Sequence, residues 1–109
     1  MPIDLDHLRR YTLGDKDLET EVLGLFLAQL PETIASLRSA STERDWKIAA
    51  HALKGSSRAV GAWRIARLAQ DAEALAAGAT PAAWSEAITK LEAAASEAST
   101  FVKEIAHRS

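Results

Sequence analysis

A chain of 109 residues with no cysteine and a formal net charge of −2 is expected to form one domain over residues 1–109, without disulfides, thiolate metal sites or a cysteine nucleophile. Its charge gives no basic face for nucleic acid, and no apolar run approaches the roughly 20 residues that cross a bilayer. The acidic start Met1-Pro2-Ile3-Asp4-Leu5-Asp6 is unlike a basic signal peptide, so a soluble, cytoplasmic protein that engages neither nucleic acid nor membrane is expected.

Abundant alanine, few glycines and prolines, and no sustained alternation predict an all-α domain. Ile3 to Tyr11 reads as a short first helix with Ile3, Leu5 and Leu8 as its apolar side. Thr12-Leu13-Gly14-Asp15 punctuates the chain, and Asp15 can cap the next helix. That second helix is predicted over 16–39, with Leu18, Val22, Leu23, Leu25, Phe26, Leu27, Leu30, Ile34 and Leu37 apolar. Pro31 lacks the N–H that would bond the Leu27 carbonyl, which predicts one kinked helix. At about 100° per residue, Leu18 and Leu25 fall to one side of Phe26, Leu30 and Leu37. Either the short first helix covers that side or it is a docking patch.

The third helix is predicted over 43–60, capped by Ser41 or Thr42. Trp46, Ala49, Ala50, Leu53, Ser57 and Val60 share a roughly 100° arc suited to one core-facing stripe. Arg44, Lys47, His51, Lys54, Gly55 and Arg58 take the opposite side. All four cations of this helix thus share the half that carries His51. Gly61 ends the helix.

A fourth helix from Ala62 to about Ala77 should turn Ala62, Ile65, Leu68, Ala69, Ala72, Leu75 and Ala76 inward and Arg64, Arg67 and Asp71 outward, with Gly78 as its stop. Trp63 falls outside the inward arc and either roofs the helix junction or adds to a binding surface. The last helix starts clearly, with Thr80 as N-cap and Pro81 at the first helical position. Trp84, Ile88, Leu91, Ala95, Ala98, Val102 and Ile105 then recur at spacings of three and four. An antiparallel four-helix bundle with a short extra N-terminal helix satisfies these patterns.

The chemistry centres on His51. A nearby positive charge disfavours an imidazolium, which keeps a neutral ring nitrogen available as a nucleophile. The same cations would stabilise an anionic group attached to the ring. Gly55, one turn along, costs a helix about 1 kcal/mol relative to alanine, and its missing side chain clears an approach to His51 for a partner protein. Metal chemistry needs several convergent ligands, whereas His7, His51 and His107 stand on different segments, and His7 and His107 read as ordinary solvated histidines. Ser57 belongs to the core stripe, which leaves Ser56 and Ser57 as small packing residues rather than nucleophiles. No glycine-rich phosphate loop is present, so no ATP site and no autokinase activity are expected.

The run His51-Ala52-Leu53-Lys54-Gly55-Ser56-Ser57, followed by Val60-Gly61-Ala62, resembles the signature of histidine-containing phosphotransfer (HPt) domains, the monomeric four-helix modules of multistep phosphorelays. Leu13-Gly14-Asp15, Leu25-Phe26-Leu27 before Leu30-Pro31, and Leu68-Ala69 with Glu73 extend the resemblance over nearly the whole chain. It implies that His51 accepts a phosphoryl group from the aspartate of one receiver domain and passes it to another, with hybrid histidine kinases and response regulators as partners. It also implies that Lys54 neutralises phosphoryl charge and that Gly55 gives the receiver access. The Mg²⁺ that assists transfer is held by the receiver, so no cofactor of the chain's own is expected. Arg44, Lys47 and Arg58 are proposed from the helical wheel alone, as steering charges toward an acidic receiver site, and Leu18 and Leu25 as partner-binding apolar residues. Two other readings are a non-phosphorylated adaptor that binds receivers and an enzyme using His51 as acid or base; the latter is opposed by the lack of a second catalytic group.

Overall fold

The structure, a computed structural model, describes residues 1–75 and 79–108. Five helices follow one another: α1 (Leu5–Thr12), α2 (Lys16–Ser39), α3 (Glu43–Val60), α4 (Trp63–Ala74) and α5 (Pro81–Arg108), with no strand among the described residues. The long helices form a closed ring in which α2 packs on α3, α3 on α4, α4 on α5 and α5 on α2, while α1 lies against α2 and α3. Short connections make neighbours antiparallel, so the all-α, four-helix bundle with an additional N-terminal helix is as predicted.

Local chemistry sets the helix ends. The Asp15 carboxylate accepts from the N–H groups of Asp17 and Leu18 to start α2, Thr42 accepts from Asp45 N to start α3, and Thr80 accepts from Ala83 N ahead of Pro81. Each satisfies an N–H that has no partner inside the helix. The α2 helix continues unbroken across Pro31. The first helix begins two residues later than predicted, because Asp4 is its cap and accepts from His7 N; Ile3, ahead of the cap, is nonetheless fully buried. The fourth is shorter than predicted, with Leu75 already its C-cap. Ala76 and Gly78, predicted as an inward residue and a stop, lie outside the described residues.

All six residues of the predicted α3 stripe are buried, and they meet Leu23, Phe26, Leu30, Ile34 and Leu37 of α2, Ile65, Ala69 and Ala72 of α4, and Ile88, Leu91 and Ala98 of α5. Burying each large apolar side chain contributes about 1.5–3 kcal/mol, which fixes the rotation of α3 and thereby the outward face. Trp46 strengthens this lock: its ring stacks on Trp84 with centroids 4.3 Å apart, and its Nε1 donates to the Ala72 carbonyl at 2.6 Å.

Gly61 closes α3 at φ 79°, a left-handed conformation that a side chain resists. A Cβ there would also stand 2.9 Å from the Asp4 carbonyl oxygen, because the N-terminal segment crosses the turn and Asp4 N donates to the Gly61 carbonyl. The residues just before α1 thus cross the α3–α4 junction, α1 itself lies against α2 and α3, and Leu18 and Leu25 of α2 stay exposed.

Candidate functional site

The outward face of α3 carries the predicted residues together. The His51 side chain is 71% exposed, and Arg44, Lys47, Gly55 and Arg58 are exposed with it. Lys54 departs from that pattern at 17% exposure, folded against the bundle. An added Cβ at Gly55 would meet nothing within 4 Å, so the glycine is not demanded by packing inside this chain.

The charge around the imidazole differs from the expectation of cations alone. Its nearest charged neighbour is the Glu73 carboxylate of α4, whose Oε2 lies 2.9 Å from His51 Nδ1 while Lys54 Nζ donates to Oε1 at 2.7 Å. A carboxylate only accepts hydrogen bonds. In the neutral ring this contact therefore places the proton on Nδ1 and leaves the lone pair on Nε2. The Glu73 carboxyl titrates below its ordinary value, chiefly because of the Lys54 hydrogen bond; partial desolvation opposes this and the His51 hydrogen bond adds to it.

Glu73 was not among the sequence-predicted site residues. It stands eleven residues after Ala62 as His51 stands ten before Gly61, so folding α3 and α4 back about that turn brings the two to one level. Mirroring residues across the Gly61–Ala62 turn was the signal that could have found it.

The other predicted residues fall into two groups. Arg58 donates to Gln70 Oε1 at 3.1 Å, and Lys47 pairs with Glu43 of its own helix at 3.5 Å. Leu25 is 58% and Leu18 39% exposed, which removes cover by α1 and leaves both available to a partner. Ile48, not singled out in the sequence, is also exposed, one turn before His51 and Ala52. Ser57 is buried, its Oγ without a hydrogen-bond partner, and Ser56 Oγ donates to the Leu53 carbonyl, so both serines are packing residues.

His7 is not simply solvated: its ring meets Trp63 edge-on at 4.8 Å, because α1 folds over the start of α4. The His107 side chain lies outside the described residues. Trp63 itself is half exposed, with Nε1 donating to Asp4 Oδ2 at 2.9 Å; it fastens the N-terminal segment and also shows its ring to solvent. The hydrogen bond from Trp63, and after it the His7 backbone N–H, holds the Asp4 carboxyl below its ordinary value. Among the described residues no three His, Asp or Glu side chains converge to hold a metal ion, and no helix is long and apolar enough to cross a membrane.

Fold and site together define an all-α module that presents one histidine on an open helix face, oriented by a carboxylate and flanked by a lysine and a glycine. The family model of the Hpt domain matches residues 21–101, and the chain belongs to that family, which gives it a phosphotransfer role in two-component signalling. Comparison with curated proteins and with solved structures returned no match.

Proposed function

We propose that the protein is a phosphorelay intermediate whose His51 Nε2 carries the phosphoryl group between two receiver domains. Nε2 attacks the phosphorus of an aspartyl phosphate; the N–P bond forms as the acyl O–P bond breaks, and the donor receiver is left with a free aspartate carboxylate. The reverse exchange loads the second receiver. The observation that carries this reading is the single-sided engagement of the ring, with Nδ1 held by Glu73 at 2.9 Å and the opposite edge exposed.

Lys54 has the charge to compensate the incoming phosphoryl oxygens, and Glu73 keeps its ammonium beside the ring. Gly55 leaves room for the receiver to press onto the helix, with Leu18 and Leu25 supplying apolar contact and Arg44, Lys47 and Arg58 attracting an acidic partner. Mg²⁺ belongs to the receiver. The reading places the module in the cytoplasm as a monomer without autokinase activity, serving hybrid histidine kinases and response regulators.

The test incubates the protein with a phosphorylated receiver and follows the label. Acid-labile, base-stable phosphate should appear on the wild type and not on His51→Gln. Binding of the receiver with no transfer to the wild type would favour the adaptor instead.

A further inference from the structure

The seam between α3 and α4 continues beyond His51, Lys54 and Glu73. One turn past Lys54 it opens into a hollow of about 380 Å³ lined by Arg58, Trp63, Ala66, Arg67, Gln70 and Asp71. Its lining carries two guanidinium groups against one carboxylate, a net positive charge. Arg58 is held by the neutral amide of Gln70, and Arg67 makes no ion pair among the described residues. By contrast, Arg9, Arg38 and Arg64, away from this seam, each pair with a carboxylate: Glu19, Glu92 and Glu97 respectively. Asp71 lines the hollow too, without pairing either arginine within 4 Å.

Trp63 lines the same hollow. Its Nε1 donates to Asp4 and its ring contacts His7, so the ring is held in place while remaining 46% exposed. A rigid indole beside two guanidinium groups is the composition of an interface anchor. The opposite flank of His51 has the reverse character: the groove between α2 and α3 carries Glu32 and Asp45 with Ile48 and Ala52. The hollow beyond Lys54 and Glu73 on the α4 side is therefore aromatic with a net positive lining, and the groove on the α2 side is acidic and apolar.

Resting on the phosphorelay reading above, we propose that the Arg58–Arg67–Trp63 hollow is a selectivity element that binds an acidic rim of the receiver docked over His51, and so decides which receivers exchange phosphate with it. Seven residues separate Arg58 from His51 on α3, about 10 Å of helix, which lies inside the footprint of roughly 800 Å² per partner of an ordinary interface. Charge of one sign on one flank and the other sign on the opposite flank admits a receiver in a single orientation, because the reversed pose sets like charges against each other. A receiver with carboxylates beside its phosphorylated aspartate gains both in encounter rate and in fit.

The experiment compares two phosphorylated receiver domains, one with at least three carboxylates on the rim of its aspartate pocket and one with none, as donors to the full chain. For the acidic-rim receiver, Arg58→Glu with Arg67→Glu should lower the second-order transfer rate at low salt about tenfold or more, with the gap to wild type narrowing at high salt. The rate with the other receiver should fall by a clearly smaller factor, since it loses only the general attraction of Arg58. Arg64→Glu, the same charge change on α4 but outside the hollow, should leave both rates unchanged, and phosphoramidate, a small donor that needs no docking, should load the double variant as well as wild type. If the reversal fails to fold by circular dichroism, Arg58→Gln with Arg67→Gln is read the same way with a smaller loss. Equal losses with both receivers, or none with the acidic one, overturn the selectivity element. A wild type that accepts phosphate from no receiver overturns instead the phosphorelay reading beneath it.

Discussion

Replacing Glu73 by alanine removes the acceptor of two charge-assisted hydrogen bonds, from His51 Nδ1 at 2.9 Å and from Lys54 Nζ at 2.7 Å. Since the imidazole is mostly exposed, its bond competes with water and is discounted to about 1 kcal/mol. A difference of about 1 kcal/mol between ring tautomers is a factor of about 5 in population. Glu73→Ala should therefore slow phosphoryl acceptance by His51 measurably, by at most about fivefold, read by rapid quench against a phosphorylated receiver. Imidazole ¹⁵N spectra should show the proton moving from Nδ1 toward Nε2, a signature that a merely structural role would not produce. Lys54→Ala keeps the Nδ1 contact, so it should slow transfer while leaving fold and tautomer unchanged. Identical ¹⁵N spectra and rates for Glu73→Ala and wild type would refute the orienting role.

The same carboxylate links stability to pH. Its folded-state pKa lies below the ordinary 4.5, first through Lys54, so its contribution is fully present above that value and fades as pH falls through the lower, folded-state value. Melts of wild type and Glu73→Ala should differ near pH 7 and converge as the pH falls below the ordinary 4.5.

Gly55→Ala should raise the melting temperature by about 4 °C, the equivalent of about 1 kcal/mol in a domain of this size, whereas Gly55→Leu should fold normally and weaken receiver docking; normal docking by Gly55→Leu removes the access role. Gly24, which also has open space around it, serves as control, since Gly24→Ala should stabilise α2 without affecting transfer. Leu25→Glu should leave the melting temperature within about 2 °C, as surface substitutions do, and lower receiver affinity several-fold by titration calorimetry; a large loss of stability would mean the side chain is covered after all. Trp46→Phe gives up the buried bond to Ala72 and part of the stack on Trp84, costing about 2–3 kcal/mol and about 10 °C; a shift under about 2 °C by thermal circular dichroism contradicts the lock assigned to Trp46.

The parts of this molecule that were legible in the sequence are those set within one helix. The limits of α2 and α3 follow from Asp15, Thr42 and Gly61, and the buried stripe of α3 follows from its 3.6-residue period, so the outward course of His51 required no knowledge of its neighbours. What the wheel of α3 could not give is the charge facing that helix from elsewhere. It counted four cations and no acid, because Glu73 enters from α4 across the turn; the imidazole that looked surrounded by positive charge is held by a carboxylate. Leu18 and Leu25 were undecided for a related reason. Whether α1 covers them depends on where α1 docks, and that is set at a distance by Asp4 N against the Gly61 carbonyl and by Asp4 Oδ2 accepting from Trp63. Those contacts fix the start of α1 at the α3–α4 junction, while Leu25 stays exposed. Asp4→Ala, which removes the bonds from His7 N and Trp63 Nε1 but keeps the backbone bond to Gly61, should loosen that anchoring and lower the melting temperature in thermal circular dichroism; an unchanged melt would contradict the anchoring role.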